Sequence, residues 1–468
     1  MKILQVGNFN LIKPRSGEEV LLDYMSKKFL EYSFEVHNIL FVPAPEVKIA
    51  NYNKNNINYW LFYRPKPFVY MSLHEPISEV YDEISTLLML EFLKRAKFDS
   101  FDVVIWHSAM PLSLIELLRN YTGRLYLFAH SLYYINPFWF DISVKKIQTN
   151  VFQCFSYDNI SVDNYLEDLH IQTNNQFRQI NSYLKKQLQT RIEYGQYILN
   201  EIADYVFAFM DYASAMYFDY NISAKKLRKI ALCAIEEPID FDFVKQKYQR
   251  KPNKFVIGCL GNWQYLKGQH ILVKSINEIN LNDIVCQLYG STDLNINYKN
   301  LLAELINPSL IQIKDVYDIS DIKSICNNLH IHVLPMPTKH QTALTIIETL
   351  YSGVTQILTE PQYLIQELNL LKQYKENNVN QLNSDIAVIH ELYLHNLLDK
   401  LDTLLYNFEF IRPLLFKCGD YITLKDSILF AYDNFETLFD YWQKQIEIYS
   451  VFYNKDSFDN FVRRYILQ

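Results

Sequence analysis

The chain has 468 residues, of which 49% are hydrophobic, and a formal net charge of −7 at pH 7. This length allows two or three domains, and the apolar content is ample for two sizeable cores. The negative charge argues against general nucleic-acid binding, and the lack of a run of about eighteen apolar residues argues against a membrane-spanning helix.

The six cysteines indicate a reducing environment. They are scattered without paired spacing and lie mostly within apolar runs (Cys154, Cys233, Cys259, Cys286, Cys326 and Cys418). Buried free thiols are therefore favoured over disulfides or zinc ligands, and we expect a cytoplasmic protein. The segment from Met1 runs directly into a strand pattern, so no leader is expected. The basic residues at Lys225-Lys226 and Arg228-Lys229 fit a solvated helix face best, with peripheral contact to the inner face of a membrane as the alternative.

The first half of the chain has the pattern of a parallel, doubly wound sheet. An apolar strand from Lys2 to Gly7 is followed by a glycine-bearing loop and an amphipathic helix from Glu18 to Tyr32. Further apolar strands are predicted at Phe34 to Phe41, Val103 to Trp106, Leu125 to Ala129 and Tyr205 to Phe209. The asparagine-rich segment 51–58 is predicted to be a loop. A helical insertion at about 137–203 is longer than a minimal crossover, and we expect it to influence acceptor selection.

Two histidines follow predicted strands directly. His107 comes after Val103 to Trp106, and His130 comes after Leu125 to Ala129. Because the carboxyl ends of strands in an open α/β sheet face the ligand crevice, both are candidates for the cleft. A packed, hydrogen-bonded histidine without ligand contact is the competing interpretation for each of them.

The second half contains a strand, a loop and a helix suited to binding an anion. The strand is predicted at Phe255 to Leu260, and Lys267 stands just before a helix that starts at Gly268. A lysine in this place supplies a point charge that offsets phosphates. Trp263 and Tyr265, in the same loop, are candidates for the neighbourhood of a nucleotide, with ordinary loop packing as the alternative.

A second segment, Ile331 to Leu358, repeats the strand-loop-helix-strand order. Its helix is predicted to open near Gln341 or Thr342, so its free N–H groups and positive dipole end match a diphosphate. Glu348 lies about two turns further along, where its carboxylate can accept hydrogen bonds from ribose hydroxyls. A lone helical glutamate is more often a surface residue, but its order with respect to Lys267 favours a nucleotide site.

These two segments resemble those of the retaining, GT-B-fold glycosyltransferases of the large family-four group. Gly261-Asn262-Trp263 followed by Lys267-Gly268 is similar to the family's glycine-arginine-leucine turn and its lysine-glycine pair, with Asn262 in the place of the arginine. Pro335 matches the proline of the second signature, and Glu348 matches its second glutamate.

The second signature also departs from the family at two places. The family's first glutamate falls on His340 when counted back from Glu348, or on Lys339 when counted forward from Pro335. Thr342-Ala343-Leu344 replaces the phenylalanine-glycine-leucine that offers backbone amides to the phosphate. The resemblance covers roughly residues 1–375 as a pattern of elements with a few matched residues.

The resemblance implies an α/β fold of two Rossmann-like doubly wound domains that face a cleft (GT-B). We expect an acceptor-side domain at 1–237, a nucleotide-sugar domain at 238–384 and a helical C-terminal extension at 385–468. Part of this extension is expected to pack back on the first domain, as the C-terminal helix of GT-B enzymes commonly does.

The resemblance also implies roles for individual residues. The predicted catalytic residues are Lys267, which stabilises the departing diphosphate, with His130 and His340, which contact the transferred sugar. The predicted donor-binding residues are Gly261, Asn262, Lys267, Thr342, Ala343, Leu344 and Glu348, and the predicted acceptor-side residues are Asn8, Gly17 and His107. No cofactor or metal is expected, because Lys267 and the helix end can neutralise the phosphates and no aspartate-x-aspartate motif occurs in a suitable context.

The predicted function is transfer of a sugar from a UDP- or GDP-sugar to a hydroxyl of a glycan, lipid-linked or protein acceptor. The resemblance implies retention at the anomeric carbon, because the family is retaining, whereas the spacing of the residues does not show the stereochemistry. The altered signature positions leave open a second class, a non-catalytic GT-B-like partner that binds an acceptor or a catalytic subunit. A phosphorylase is a weaker third option, because it would leave Glu348 without a ribose to bind. The sequence does not indicate the oligomeric state.

Overall fold

The computed structural model describes residues 1–8, 17–43, 48–64, 91, 93–95, 97–107, 115–130, 192–209, 211–230, 239–263, 267–290, 296–314, 316–337, 344–377, 381–453 and 456–468. The strands in this part of the chain are β1 (Lys2–Asn8), β2 (Glu35–Pro43), β3 (Lys48–Lys54), β4 (Ile57–Arg64), β5 (Val103–Trp106), β6 (Arg124–Ala129), β7 (Tyr205–Phe209), β8 (Leu227–Ile230), β9 (Phe255–Leu260), β10 (Ile284–Tyr289), β11 (Ile311–Ile313), β12 (Ile331–Leu334), β13 (Thr355–Thr359) and β14 (Leu415–Phe416).

The described α-helices are α1 (Gly17–Glu31), α2 (Ile115–Arg119), α3 (Tyr212–Phe218), α4 (Phe241–Lys247), α5 (Gln269–Asn277), α6 (Ile296–Leu305), α7 (Ile322–Asn327), α8 (Leu344–Tyr351), α9 (Gln362–Asn377), α10 (Gln381–Ile389), α11 (Leu394–Ile411), α12 (Tyr421–Asp433), α13 (Leu438–Tyr449) and α14 (Asp456–Phe461). None of the helices in the described ranges is both long and apolar enough to cross a membrane.

The first sheet has the strand order β3-β4-β2-β1-β5-β6-β7-β8. All its neighbours are parallel except β3 and β4, and its central strands are buried on both faces, as their continuous apolar runs predict. From β1 the sheet continues through β2 on one side and through β5 on the other, so the connections after β1 and β5 leave in opposite directions. A crevice therefore opens between β1 and β5 at the carboxyl ends of the strands. Asn8 and His107 stand at this edge.

The second sheet is wholly parallel and has the order β11-β10-β9-β12-β13-β14. Its reversal lies between β9 and β12, so the loop after Leu260 and the loop after Leu334 leave the sheet side by side. The two segments singled out in the sequence therefore meet at one crevice.

The prediction of a loop at 51–58 is wrong. Residues 51–54 belong to β3, and β4 begins at Ile57 and pairs with β3 in antiparallel register. Asn55 and Asn56 form the turn with φ of 54° and 63°. Asparagine tolerates positive φ because its side chain can hydrogen-bond the nearby backbone, so a pair of asparagines builds a tight hairpin.

The last part of the chain contacts both sheets. Helices α11, α12 and α13 pack around the second sheet, and β14 extends that sheet by pairing Leu415 with Leu358 of β13. This strand was not predicted, because two apolar residues are too few to show alternation. The terminal segment returns to the first sheet, where Phe458 lies 5.2 Å from Phe29 between ring centroids. This contact joins α14 to α1.

Candidate nucleotide-sugar site

Two glycines shape the carboxyl edge of the second sheet. Gly261 follows β9 with φ +146° and Gly290 follows β10 with φ +143°. The amide of Gly261 donates to the carbonyl of Tyr289, and a Cβ on Gly290 would lie 2.0 Å from the carbonyl oxygen of Gly261. Gly290 therefore requires glycine because a Cβ would overlap this carbonyl. Gly261 favours glycine because of its positive φ, which L side chains rarely adopt.

Lys267 and Gly268 lie against the end of β12. Gly268 has φ +70°, and a Cβ added to it would lie 1.7 Å from the carbonyl oxygen of Pro335. The loop that carries Lys267 is thereby held against the loop that leads to α8. A Cβ added to Gly261 would lie 4.0 Å from the Lys267 Cδ atom. The aliphatic part of the Lys267 side chain therefore passes beside the glycine turn.

The ammonium of Lys267 is in an apolar setting. Burial lowers its pKa, and Cys259 acts in the opposite direction. Burial raises the pKa of the Cys259 thiol to about 12, so this neighbour is neutral at pH 7 and provides no counter-charge. Among the described residues Lys267 has no acidic partner within 4 Å. A partly buried ammonium without a counter-ion is suited to an anionic ligand.

Glu348 lies in the second turn of α8. Burial raises the pKa of its carboxyl to about 7, and no described residue donates a hydrogen bond to it. Tyr317 is a neighbour, since the charge of Glu348 adds to burial in raising the Tyr317 pKa. A desolvated carboxylate that receives no hydrogen bond from the described residues can accept hydrogen bonds from the hydroxyl groups of a ligand.

A buried polar network lies beneath α8 and was not predicted. His332, within β12, accepts a hydrogen bond on Nε2 from the Leu260 amide at 3.3 Å, and its Nδ1 lies 2.5 Å from Oε1 of Gln356. The amide group of Gln356 donates to the Thr349 hydroxyl at 2.9 Å. These bonds join the end of β9 to α8, so they fix the relative positions of the two loops.

The two strand-end histidines of the first sheet contact each other. His107 is buried, and its Nδ1 lies 3.1 Å from Nε2 of the partly exposed His130. The other ring nitrogen of His107, Nε2, lies 3.1 Å from Oε1 of Gln5. Burial is the main cause that lowers the pKa of both rings, to about 3 for His130, so both are neutral at pH 7.

Several predicted site residues fall outside the described part of the chain. These are Tyr265, Lys339, His340, Thr342 and Ala343, and the insertion is described only from residue 192. Leu344 is the first described residue of α8, and Gly17 is the first residue of α1. Asn8 ends β1 beside Phe41 of β2, and the carbonyl of Asn262 accepts a hydrogen bond from the Gln269 side chain at 3.0 Å. Trp263 is fully buried in the core, so its ring has no face free for stacking.

The site contains residues that the sequence reasoning missed. Gln5, His332 and Gln356 are polar residues inside otherwise apolar strands, and all three are fully buried. A polar residue within a buried strand needs a partner, so each was a signal that a network would form there. Tyr317 had no such signal, because it follows β11 in a polar loop.

Comparison with solved structures shows the fold. No protein-family model and no curated protein sequence matches this chain. A sucrose-phosphate synthase from Thermosynechococcus elongatus superposes with a TM-score of 0.62 at 11% identity, covering 100% of this chain and 98% of that one. The catalytic domain of starch synthase IV from Arabidopsis thaliana, bound to ADP and acarbose, superposes with a TM-score of 0.51 at 9% identity, covering 95% and 94%. The chain has the GT-B fold, which confirms the expected fold class.

Proposed function

We propose that the protein is a nucleotide-sugar-dependent glycosyltransferase that moves a sugar from a UDP- or GDP-sugar to a hydroxyl of a glycan, lipid-linked or protein acceptor. One observation carries this proposal. At the crevice of the second sheet, Lys267 stands in the loop after β9, and Glu348 stands on α8, which follows the loop after β12. The contact between Gly268 and Pro335 joins these two loops. Among the described residues, the first group is an ammonium without a counter-ion and the second is a carboxyl group that receives no hydrogen bond.

The roles of the two residues follow from their charges. The Lys267 ammonium stabilises the negative charge that develops on the departing diphosphate, a contribution that grows in a site of low dielectric constant. Glu348 accepts hydrogen bonds from the ribose, which fixes the nucleotide relative to the ammonium. The amino-terminal end of α8 offers N–H groups to the phosphates, with Thr342, Ala343 and Leu344 as the residues proposed to carry them.

The first sheet supplies the sugar and acceptor side. His130 and His340 are proposed to contact the transferred sugar, and Asn8, Gly17 and His107 are proposed to lie on the acceptor side. The match of Pro335 and Glu348 to the signature of retaining enzymes supports retention. We propose that the reaction needs no metal, because Lys267 and the end of α8 neutralise the diphosphate. The buried free cysteines Cys259, Cys286, Cys326 and Cys418 support a cytoplasmic location.

The test is release of nucleoside diphosphate from nucleotide sugars by the pure protein. The panel contains UDP-glucose, UDP-galactose, GDP-mannose and, because the starch synthase structure is bound to ADP, ADP-glucose. We expect slow hydrolysis of a UDP- or GDP-sugar that is undiminished by EDTA and lost in Lys267→Ala. The control is Lys299→Ala, since Lys299 is an exposed lysine of α6 in the same sheet-helix unit.

The outcomes separate the two classes of function. Hydrolysis that disappears in Lys267→Ala and persists in Lys299→Ala supports the enzyme. Absence of both hydrolysis and nucleotide binding across the panel contradicts it and favours a non-catalytic partner. The anomeric form of the sugar first released, read by proton NMR, tests retention separately.

A further inference from the structure

The two strand-end histidines belong to a chain of buried hydrogen bonds that runs into the first sheet. Gln5, Ser26 and Asn38 are fully buried, and they connect to His107 and through it to His130. Each bond in this chain has a direction, because a proton can lie on one of the two atoms only. The direction can be followed from the protein interior to the crevice.

The inner end of the chain is set by Ser26. Its hydroxyl donates to the Leu22 carbonyl at 2.8 Å, so its oxygen can only accept from the other neighbours. The Gln5 side-chain nitrogen donates to Ser26 Oγ at 2.7 Å, and the Asn38 nitrogen does so at 2.9 Å. The amide of Gln5 is thereby oriented with its oxygen toward His107.

The orientation of Gln5 determines the protonation of His107. An amide oxygen accepts only, so the facing Nε2 of His107 carries the proton. Burial, and after it the charge of His130, lowers the pKa of His107 well below its ordinary value, so the ring is neutral. In a neutral imidazole the second nitrogen has a lone pair, and Nδ1 of His107 therefore accepts from Nε2–H of His130 at 3.1 Å.

The last step concerns His130, which is partly exposed. Its Nε2–H donates the hydrogen bond to His107, so in the neutral ring the other nitrogen, Nδ1, has the lone pair. No described residue contacts this Nδ1 with a hydrogen bond. This nitrogen of His130 is consequently an acceptor and not a donor.

We propose that Gln5 and His107 are positioning residues that fix His130 as the Nε2–H tautomer, so that its Nδ1 selects a sugar group able to donate a proton. A hydroxyl satisfies this nitrogen, and a carboxylate faces it lone pair to lone pair. This inference rests on the proposed function for its substrate, while the tautomer itself does not depend on it.

The tautomer is tested by long-range proton–nitrogen correlation NMR of the full chain with ¹⁵N-labelled histidine and no ligand. His130→Asn identifies the His130 signals by their loss. We expect His130 to show a protonated Nε2 and an unprotonated Nδ1. His332 is an internal reference with the opposite tautomer, Nδ1–H. Its Nε2 accepts a hydrogen bond from the Leu260 amide, and its Nδ1 donates to Gln356 Oε1.

One substitution is expected to reverse the direction of the hydrogen bond between His107 and His130. In Gln5→Glu the carboxylate stabilises a protonated His107, whose Nδ1–H donates to His130 and moves the His130 proton to its Nδ1. We expect the two His130 nitrogen signals to exchange character while those of His332 do not move. An Nδ1–H tautomer or an imidazolium at His130 in the wild type at pH 7 overturns the proposal, whether or not the variant folds.

The effect of this tautomer on the reaction is measured by release of nucleoside diphosphate from UDP-glucose and GDP-mannose. In Gln5→Glu, where Nδ1 of His130 is expected to carry the proton, we expect at least tenfold slower release than in the wild type. Unchanged release together with the exchanged His130 signals contradicts the proposal. Failure of the wild type on both donors together with the expected tautomer counts against the proposed function instead.

Discussion

Gly268 and Pro335 are in such close approach that a single methyl group cannot be added between them: a Cβ on Gly268 would lie 1.7 Å from the Pro335 carbonyl oxygen. This contact joins the loop after β9 to the loop after β12, and the candidate site is built on both loops. The backbone of Gly268, at φ +70°, adds strain for any other residue.

Gly268→Ala is therefore expected to lower the free energy of unfolding by about 2–4 kcal/mol, through backbone strain and overlap with Pro335. It is also expected to weaken nucleotide binding in the folded fraction. The control is Gly353→Ala, which has a similar φ of +79° and a Cβ that would lie 2.4 Å from Val244. Urea unfolding and calorimetric titration measure the two effects, and equal loss of nucleotide affinity in both variants would argue against a special role for the Gly268 contact.

Glu348→Gln is expected to stabilise the protein while it weakens nucleotide binding. Burial raises the folded-state pKa of Glu348 to about 7, above its ordinary value of 4.5, so ionisation of this carboxyl destabilises the fold. The penalty is absent below about pH 4.5, increases as the pH rises to about 7 and is constant above it. At pH 8 we expect the variant to be more stable by about 1–3 kcal/mol, and at pH 4.5 we expect little difference.

Denaturant unfolding at the two pH values checks this prediction, with Glu436→Gln at an exposed position as the control. A variant that is less stable than the wild type at pH 8 would show that Glu348 has a stabilising partner in the protein. Retention of full nucleotide affinity would show that its carboxylate does not bind the ribose.

Glu367→Gln is expected to destabilise the protein strongly. Glu367 of α9 is buried and lies 2.6 Å from the Lys229 ammonium of β8 and 3.0 Å from His390. The Ser214 hydroxyl also donates to it. Burial alone would raise its pKa, but the charges and hydrogen bonds of Lys229 and His390 outweigh this effect and lower the pKa to about 2. Loss of the carboxylate leaves the Lys229 ammonium buried without a counter-ion, at a cost of about 3–5 kcal/mol.

The same group gives a pH dependence. The folded-state pKa lies below the ordinary value of 4.5, so the stabilisation is complete above about pH 4.5 and is lost as the pH falls toward 2. The control is Asp402→Asn, which removes an exposed pair with Lys375 at 3.9 Å and is expected to change stability by less than about 1 kcal/mol. Similar losses in both variants would contradict the assignment of the buried cluster as a structural link between β8 and α9.

Phe461→Ala is expected to detach the end of the chain from the first sheet. Phe461 is fully buried and lies edge to face on Phe207 at 5.0 Å and on Phe128 at 5.6 Å. Removal of a buried aromatic ring costs about 3–5 kcal/mol. Phe243→Ala is the matched control, because that ring is 41% exposed, and we expect a change below about 1 kcal/mol. A small effect at Phe461 in urea unfolding would mean that the terminal segment does not stabilise the first sheet.

The fold was readable from the sequence where apolar runs were long and regular. The strands β1, β5, β6, β7 and β9 were predicted to within about one residue, since buried parallel strands leave continuous apolar runs. The hairpin of β3 and β4 was missed because asparagines in a strand and in a turn look alike in composition, and the difference lies in the positive φ of Asn55 and Asn56.

The site was readable only in its outline. Lys267 and Glu348 were identifiable from spacing and resemblance, but the closeness of their loops depends on the order of β9 and β12 in the sheet. The hydrogen bond between His107 and His130 could not be predicted, because it joins residues 23 positions apart through a register that only the paired strands define. Polar residues inside apolar strands, such as Gln5, were the available signal for it.

Thermal unfolding with UDP and GDP shows whether the second sheet binds a nucleoside diphosphate between Lys267 and Glu348. A ligand that binds only the folded state raises the midpoint of unfolding. We predict that UDP or GDP raises the midpoint of the wild type and of Lys299→Ala, and leaves that of Lys267→Ala unchanged. No shift with either nucleotide, or an equal shift in Lys267→Ala, would contradict the account.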